Sequence, residues 1–379
     1  MVNKTFILDV ETTSLDARKA KLTGIGLQVD DTVEFLTGNY DKIIPLISEP
    51  TNTMVGHGLL YDVMVLICNG FEVNCKLWDT MGASWLIDEN CSHKLKDLAK
   101  SEFGLECKKF KEIKPEELEE YGKNDIKLTK LLYDKYKPII DKDYPIFYNL
   151  YQPLLKAINA MQNNGVAIDT FRMEGLYWEI KDSVESLEET LKEEIAKHTD
   201  KEINVRSTKQ LRELLFDTIG LKPIKVSKKT KEASTDAKTL EILSRKGSNL
   251  SAVLLRHREK AKLLSTYIKP IVEKLENGRL YTEYNPFGTC TGRFNSKNPN
   301  LQNIPVKDKG LIRSAFIASP GHKLIIADYS QVELRLLAHF SKDERLVYAY
   351  HNNLDIHTKT ASSIFGVQYE QVTKEHRYI

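Results

Sequence analysis

A chain of 379 residues, 41% hydrophobic and 28% charged, has enough apolar material for two or three packed domains. No apolar run approaches the roughly 18 residues of a membrane-spanning helix, and no C-x-x-C pair or zinc-like histidine spacing joins the five cysteines. The formal net charge of +2 hides an uneven stretch: residues 201–270 hold 17 Lys and Arg against 7 Asp and Glu. An excess of ten in an otherwise mildly acidic chain marks a polyanion-binding face, or else a solvated helical surface. Asp9 stands where a signal peptide needs its apolar centre, so the sequence predicts a folded domain from its start, in a reduced, cytoplasmic setting with no membrane.

The first predicted element is a strand over 6–15. A period of two puts Asp9 and Glu11 on one face, where two acids repel unless a cation lies between them. A second strand over 53–57 leads through Gly58 into a helix that carries Asp62. A third predicted helix, 116–136, sets Tyr121 and Asp125 four residues apart on one face. These three pieces, in this order and spacing, resemble the 3′→5′ proofreading exonuclease domain of the DnaQ-like (DEDD) superfamily that accompanies polymerase I-like enzymes. The resemblance covers about 140 residues and implies an α/β, ribonuclease H-like fold with a mixed sheet and flanking helices. It also implies two Mg²⁺ or Mn²⁺ ions held by Asp9, Glu11, Asp62 and Asp125, with Tyr121 orienting the attacking water. Close relatives often carry an amide where this chain has Gly58. That departure touches the grip on nucleic acid rather than the acids.

Pro138, Pro145 and Pro153 are predicted to punctuate the exit from this domain. The stretch 151–169 reads as a helix capped by Gly165 and followed by a return strand. A long amphipathic helix comes next, with Leu176, Ile180, Val184, Leu187, Leu191 and Ile195 three or four residues apart. On periodicity alone this is a helical hairpin. Residues 206–211 (RSTKQL) resemble a turn of the thumb of family A DNA polymerases. Lys225 to Lys231 reads as a mobile loop, and Arg256, Arg258, Lys260 and Lys262 crowd the next helix, with Arg256 and Lys260 as phosphate contacts.

Two long motifs extend the likeness. Residues 285–305 (NPFGTCTGRFNSKNPNLQNIP) resemble the family's palm loop, which implies that Arg293 reaches the minor groove at the primer terminus, with Gln302, Asn303 and Lys307 as further DNA contacts. Residues 323–327 read as a short buried strand delivering Asp328, followed by a helix with Val332, Leu334, Leu336, Leu337 and Phe340. The string ADYSQVELRLLAH resembles the first palm motif of family A polymerases. It implies Asp328 as a metal-binding catalytic carboxylate and Tyr329, Gln331, Glu333, His357 and Arg377 as nucleotide-binding residues, Glu333 by closing the pocket beneath the sugar. Residues 372–377 resemble the start of the fingers helix.

The likeness thus predicts an exonuclease domain over 1–140 and a partial α+β polymerase palm with a helical thumb over 141–379. The thumb takes about 170–275, the palm about 150–169 and 276–341, and the fingers begin at about 342. Asp328 alone does not make a two-metal centre, so a Lys, an aromatic residue and a second Asp of the family pattern would have to come from elsewhere. Trimming of single-stranded 3′ ends is expected of this chain. Synthesis on a DNA primer–template from dNTP is expected only when a complementary C-terminal polymerase segment is supplied. A non-catalytic DNA-binding or assembly half is the rival, and a stand-alone nuclease leaves the palm motifs unexplained. With no 5′-nuclease segment before Met1, a phage-type enzyme is the expected source.

Overall fold

The computed structural model describes residues 3–108, 110–227, 230–305 and 310–377. Contacts divide the chain into two units, one ending at Ser319 and one beginning at Pro320.

In the first unit, β1 (Thr5–Thr12), β2 (Leu22–Val29), β3 (Thr32–Leu36), β4 (Thr53–Gly56) and β5 (Lys76–Asp79) form a sheet in the order β3-β2-β1-β4-β5. β1, β4 and β5 run parallel, and β2 and β3 are antiparallel additions. Alternation along β1 sends Phe6, Leu8 and Val10 into one apolar layer and Ile7 into the other. The short helix α1 (Ile44–Ile47) and α2 (Leu59–Cys68) cover the first layer. The second is covered by α3 (Thr80–Ile87), α4 (Leu95–Phe103) and α5 (Leu118–Asp143). Asp9 and Glu11 share the Ile7 face, beneath α5.

Helix α5 departs from its predicted bounds, beginning at Leu118 and running to Asp143 through Pro138. Pro138 therefore does not punctuate the domain exit. It lies inside the helix, where it forgoes the one ladder hydrogen bond to the Asp134 carbonyl while the helix continues to Asp143, and Pro145 follows the end. Pro153 sits in the first turn of α6 (Gln152–Asn164), which Gly165 terminates at φ +60°. The return strand β6 (Val166–Ala167) joins a small sheet.

α7 (Thr170–Ala196) buries every residue of its predicted apolar stripe. At about 1.5 Å per residue it reaches some 40 Å. The helices α8 (Thr208–Arg212), α9 (Ala237–Arg245) and α10 (Asn249–Lys262) close around its outer half, where Leu187, Leu191 and Ile195 meet Leu211, Leu240, Leu250 and Leu254. α11 (Lys269–Glu273), β7 (Leu275–Glu276) and β8 (Arg279–Leu280) return the chain beside its inner half. A hairpin of β9 (Glu283–Asn285) and β10 (Asn295–Lys297) encloses loop 286–294.

The second unit holds α12 (Val332–Ser341), α13 (Glu344–His351) and α14 (Ile356–Phe365). The predicted strand over 323–327 does not form here. That stretch has no strand partner among the described residues, and Ile325 and Ile326 are 91% and 93% exposed. A strand's hydrogen bonds lie on its neighbours, so an apolar run without one gains nothing by extending. Residues 372–377 carry only a 3-10 turn, Glu375–Arg377, rather than the first turns of a long helix. Among the described residues no helix is long and apolar enough to cross a membrane.

Candidate functional site

The four acids of the first domain come from three elements at one end of the sheet. β4 pairs with β1 only as far as Ile7, so the Val10 N–H beyond it lacks a strand partner. The Asp62 carboxylate accepts it at 3.0 Å, which holds the side chain from α2 against β1, where the Asp9 charge acts on it. From the neighbouring position the Tyr61 hydroxyl donates to the Ser14 carbonyl at 2.5 Å, fixing α2 to the segment just past β1. Glu11, Asp62 and Asp125 are 6%, 4% and 6% exposed.

Burial and mutual repulsion mark these groups. Burial pushes the Asp9 carboxyl up to about 6, against the pull of Lys96. Burial and then the Asp9 charge push Glu11 up to about 8. Asp62 is raised well above its ordinary value, by burial first and Asp9 next. Tyr121 is held up to about 12 by burial and by Glu11 and Asp9, so its phenol stays a proton donor at neutral pH.

The sequence reading missed the cation among them. Lys96 of α4 pairs with Asp125, lies 4.4 Å from the Tyr121 ring centroid, and acts on Asp9 and Glu11. It sits in K-L-K-D-L, a segment with no spacing rule that would single it out. With Asp125 drawn to Lys96, no three His, Cys, Asp or Glu side chains among the described residues close on one metal position. A donor set of buried, oxygen-only, mutually repelling carboxylates still suits a hard divalent cation, and the Lys96 ammonium already supplies part of the charge such an ion would bring. A cleft of about 480 Å³ opens beside Tyr121 and Lys96, lined also by Cys107, Lys108, Asn124 and Lys127.

Gly58 has a structural reason. It caps α2 at φ +78°, its N–H donates to the Asp79 carboxylate at 2.8 Å, and a Cβ would lie 3.2 Å from the Met81 methyl. Asp79 also accepts from Leu59 at 3.0 Å and Met81 at 2.9 Å, so one buried carboxylate begins both α2 and α3. Sequence reasoning did not single it out.

Along the helical arm, Arg256, Arg258, Lys260 and Lys262 all fall on α10. Arg258 donates to the Thr235 carbonyl and is half-buried, a structural role. It lines a cavity of about 800 Å³ together with Arg206, Arg212 and Lys262. Arg256 is exposed. In the β9–β10 hairpin Arg293 is exposed at the loop's far end. Gln302 and Asn303 follow β10 as surface residues, the Gln302 amide donating to the Phe294 carbonyl at 2.9 Å. Lys307, and Lys228 and Lys229 of the predicted mobile loop, lie outside the described residues.

In the second unit Asp355 gathers two of the predicted nucleotide contacts. It accepts from Gln331 at 3.5 Å and pairs with Arg377 at 3.3 Å, while the Tyr350 hydroxyl donates to Gln331 at 3.2 Å. Asp328, Tyr329, Glu333 and His357 are exposed.

Comparison with known proteins accounts for this pairing of a carboxylate-bearing sheet with a helical arm. The family model described as 3′-5′ exonuclease matches residues 2–141, and that of DNA polymerase family A matches residues 176–379. The chain belongs to DNA polymerase family A. DNA polymerase I of Borreliella burgdorferi is 34% identical over 98% of this chain and 43% of its own length. That of Chloroflexus aurantiacus is 31% identical over 99% of this chain and 43% of its own. The chain therefore spans less than half the length of these relatives. A solved structure, the POL domain of Pol1 from M. smegmatis in complex with DNA primer-template and dNTP, superposes with a TM-score of 0.84 at 26% identity. The match covers 99% of this chain and 66% of that one.

Proposed function

We propose that the first domain removes nucleotides from DNA 3′ ends by metal-dependent phosphodiester hydrolysis. The observation that carries this reading is the Asp62 carboxylate accepting from the Val10 N–H of the strand that bears Asp9 and Glu11, with all three acids raised by burial. Asp9, Glu11, Asp62 and Asp125 would hold Mg²⁺ or Mn²⁺, which supply Lewis acidity and charge neutralisation at the scissile phosphate. Asp125 exchanges its Lys96 partner for that role. Tyr121, protonated throughout the neutral range, donates to the attacking water and orients it.

The thumb and the 286–294 loop bind the duplex behind and at the primer end, with Arg256, Lys260, Arg293, Gln302, Asn303 and Lys307 as contacts. Asp328, Tyr329, Gln331, Glu333, His357 and Arg377 serve dNTP addition once a palm segment bearing a second carboxylate packs beside them. The assembly reading has one observation in its favour: most apolar side chains of 324–340, Ile325, Ile326 and Phe340 above all, stand exposed, as a surface made to be covered would.

A labelled primer–template incubated with Mg²⁺ and no nucleotides separates the readings. Shortening of the primer, lost in the Asp9→Ala/Glu11→Ala double variant, is the expected result. An intact primer with the unaltered chain leaves only the assembly role.

A further inference from the structure

We propose that the exonuclease-domain helix α3 is the mounting for the palm loop 286–294, with Trp85 as its positioning residue. The assignment of that loop to the primer terminus rests on the function proposed above. The mounting itself rests on contacts. Phe287, 7% exposed, stands in a triangle of rings, 6.1 Å from Trp85 and 6.0 Å from Tyr151, with Trp85 and Tyr151 5.8 Å apart. The Trp85 indole N–H donates to the Thr289 carbonyl at 3.1 Å, a hydrogen bond between residues 204 apart in sequence.

Two glycines make room for this fit. Gly82 lies one turn before Trp85 on the same helix face, and a Cβ there would fall 2.7 Å from the Phe287 ring. Gly292, at φ +71°, brings the loop back over the indole, its Cβ position 3.4 Å from the Trp85 ring. The Thr289 hydroxyl then donates to the Arg293 carbonyl at 2.8 Å, so the residue held by Trp85 in turn holds Arg293. At its other end α3 is fixed by Asp79, the carboxylate that also begins the Asp62-bearing helix α2. The Asp79 carboxylate thus begins both the Asp62-bearing helix and the helix that mounts the loop carrying Arg293.

The test uses the full chain with Trp85→Ala, Trp85→Phe and Gly82→Ala, the last adding a single methyl against Phe287. Three quantities are read: native-state trypsin cleavage after Arg293, primer–template affinity in EDTA, and Mg²⁺-dependent trimming of a single strand. Trp85→Ala and Gly82→Ala should each speed cleavage after Arg293 about tenfold, as expected when the ring packing around Phe287 is lost or displaced. They should weaken primer–template binding severalfold while single-strand trimming stays within about twofold. Trp85→Phe, which keeps a ring, should fall between them and the unaltered chain. If neither Trp85→Ala nor Gly82→Ala changes cleavage at Arg293, the mounting is wrong. If cleavage rises but duplex binding is unmoved, α3 holds the loop without positioning a DNA contact, and the proposal fails in that half. Should the unaltered chain itself neither trim nor bind duplex, the proposed function fails, and cleavage after Arg293 still decides the mounting.

Discussion

His57 shows how much a single residue outside the acid cluster contributes to the conditions under which this domain holds together. Its Nε2 lies 2.9 Å from the His93 carbonyl, which only accepts, so that nitrogen carries a proton; Nδ1 lies 2.8 Å from the Thr80 hydroxyl. Burial pushes the imidazole down to about 4, with the charges of His93 and Lys96 adding to the effect. A histidine in the unfolded chain takes its proton near 6.5, so between about 6.5 and 4 the unfolded state binds more protons than the folded one. Stability from this residue is complete above that window and is lost as pH falls through it, on the order of 3 kcal/mol in all. Asp9, Glu11 and Asp79 slope the other way, since acids with raised folded values lose stability as pH rises. The His57 contribution is therefore read as a difference. The gap in unfolding free energy between the native chain and His57→Gln should narrow from pH 7 to pH 4, measured by urea titration at each pH. A gap that stays constant would mean the ring is not held neutral.

At the scale of elements, the contrast between α12 and the stretch before it is one of where hydrogen bonds go. A helix closes its own ladder, so α12 forms although Leu336, Leu337 and Phe340 are 49%, 51% and 77% exposed. Residues 323–327 need a neighbour to become a strand, and the sequence could not say whether one was present. The same distinction governs what was legible elsewhere. The β1 alternation, the α7 stripe and the Gly165 cap are local periodic or turn signals, and each appears, although β1 ends at Thr12 rather than at residue 15. Lys96 against Asp125, Asp79 across two helix starts, and Trp85 against Thr289 join residues far apart in sequence, and no period announces such meetings. The α12 face predicts its own behaviour in solution. Phe340→Ser together with Leu337→Glu should reduce concentration-dependent association in sedimentation velocity, with stability altered by no more than about 0.5 kcal/mol because both side chains are half exposed or more. A fall in thermal stability larger than this would show that the face is already covered.

For the molecule as a whole, charge is concentrated rather than large: a net of +2 contains a stretch with an excess of ten. Several of the 17 basic residues are already paired within the fold. Arg206 pairs with Glu188, Arg212 with Glu232, Lys225 with Asp236 and Arg245 with Glu241, while Arg258 is spent on a backbone carbonyl. Surface pairs of this kind hold weakly and exchange readily for phosphate, but each costs the duplex part of its gain. Duplex affinity should therefore fall steeply with salt, yet with a log–log slope well short of the 17 basic residues in the segment. Arg256 and Lys260 on α10 are assigned to phosphates rather than to bases, so removing both should flatten the slope by nearly 2. The loss of affinity should be the same for duplexes of unrelated sequence, since phosphates carry no base identity. Fluorescence anisotropy across a range of ionic strengths measures both quantities. An unchanged slope in Arg256→Ala/Lys260→Ala would move the duplex to another face of the arm, and a loss confined to one sequence would make these residues readers of bases.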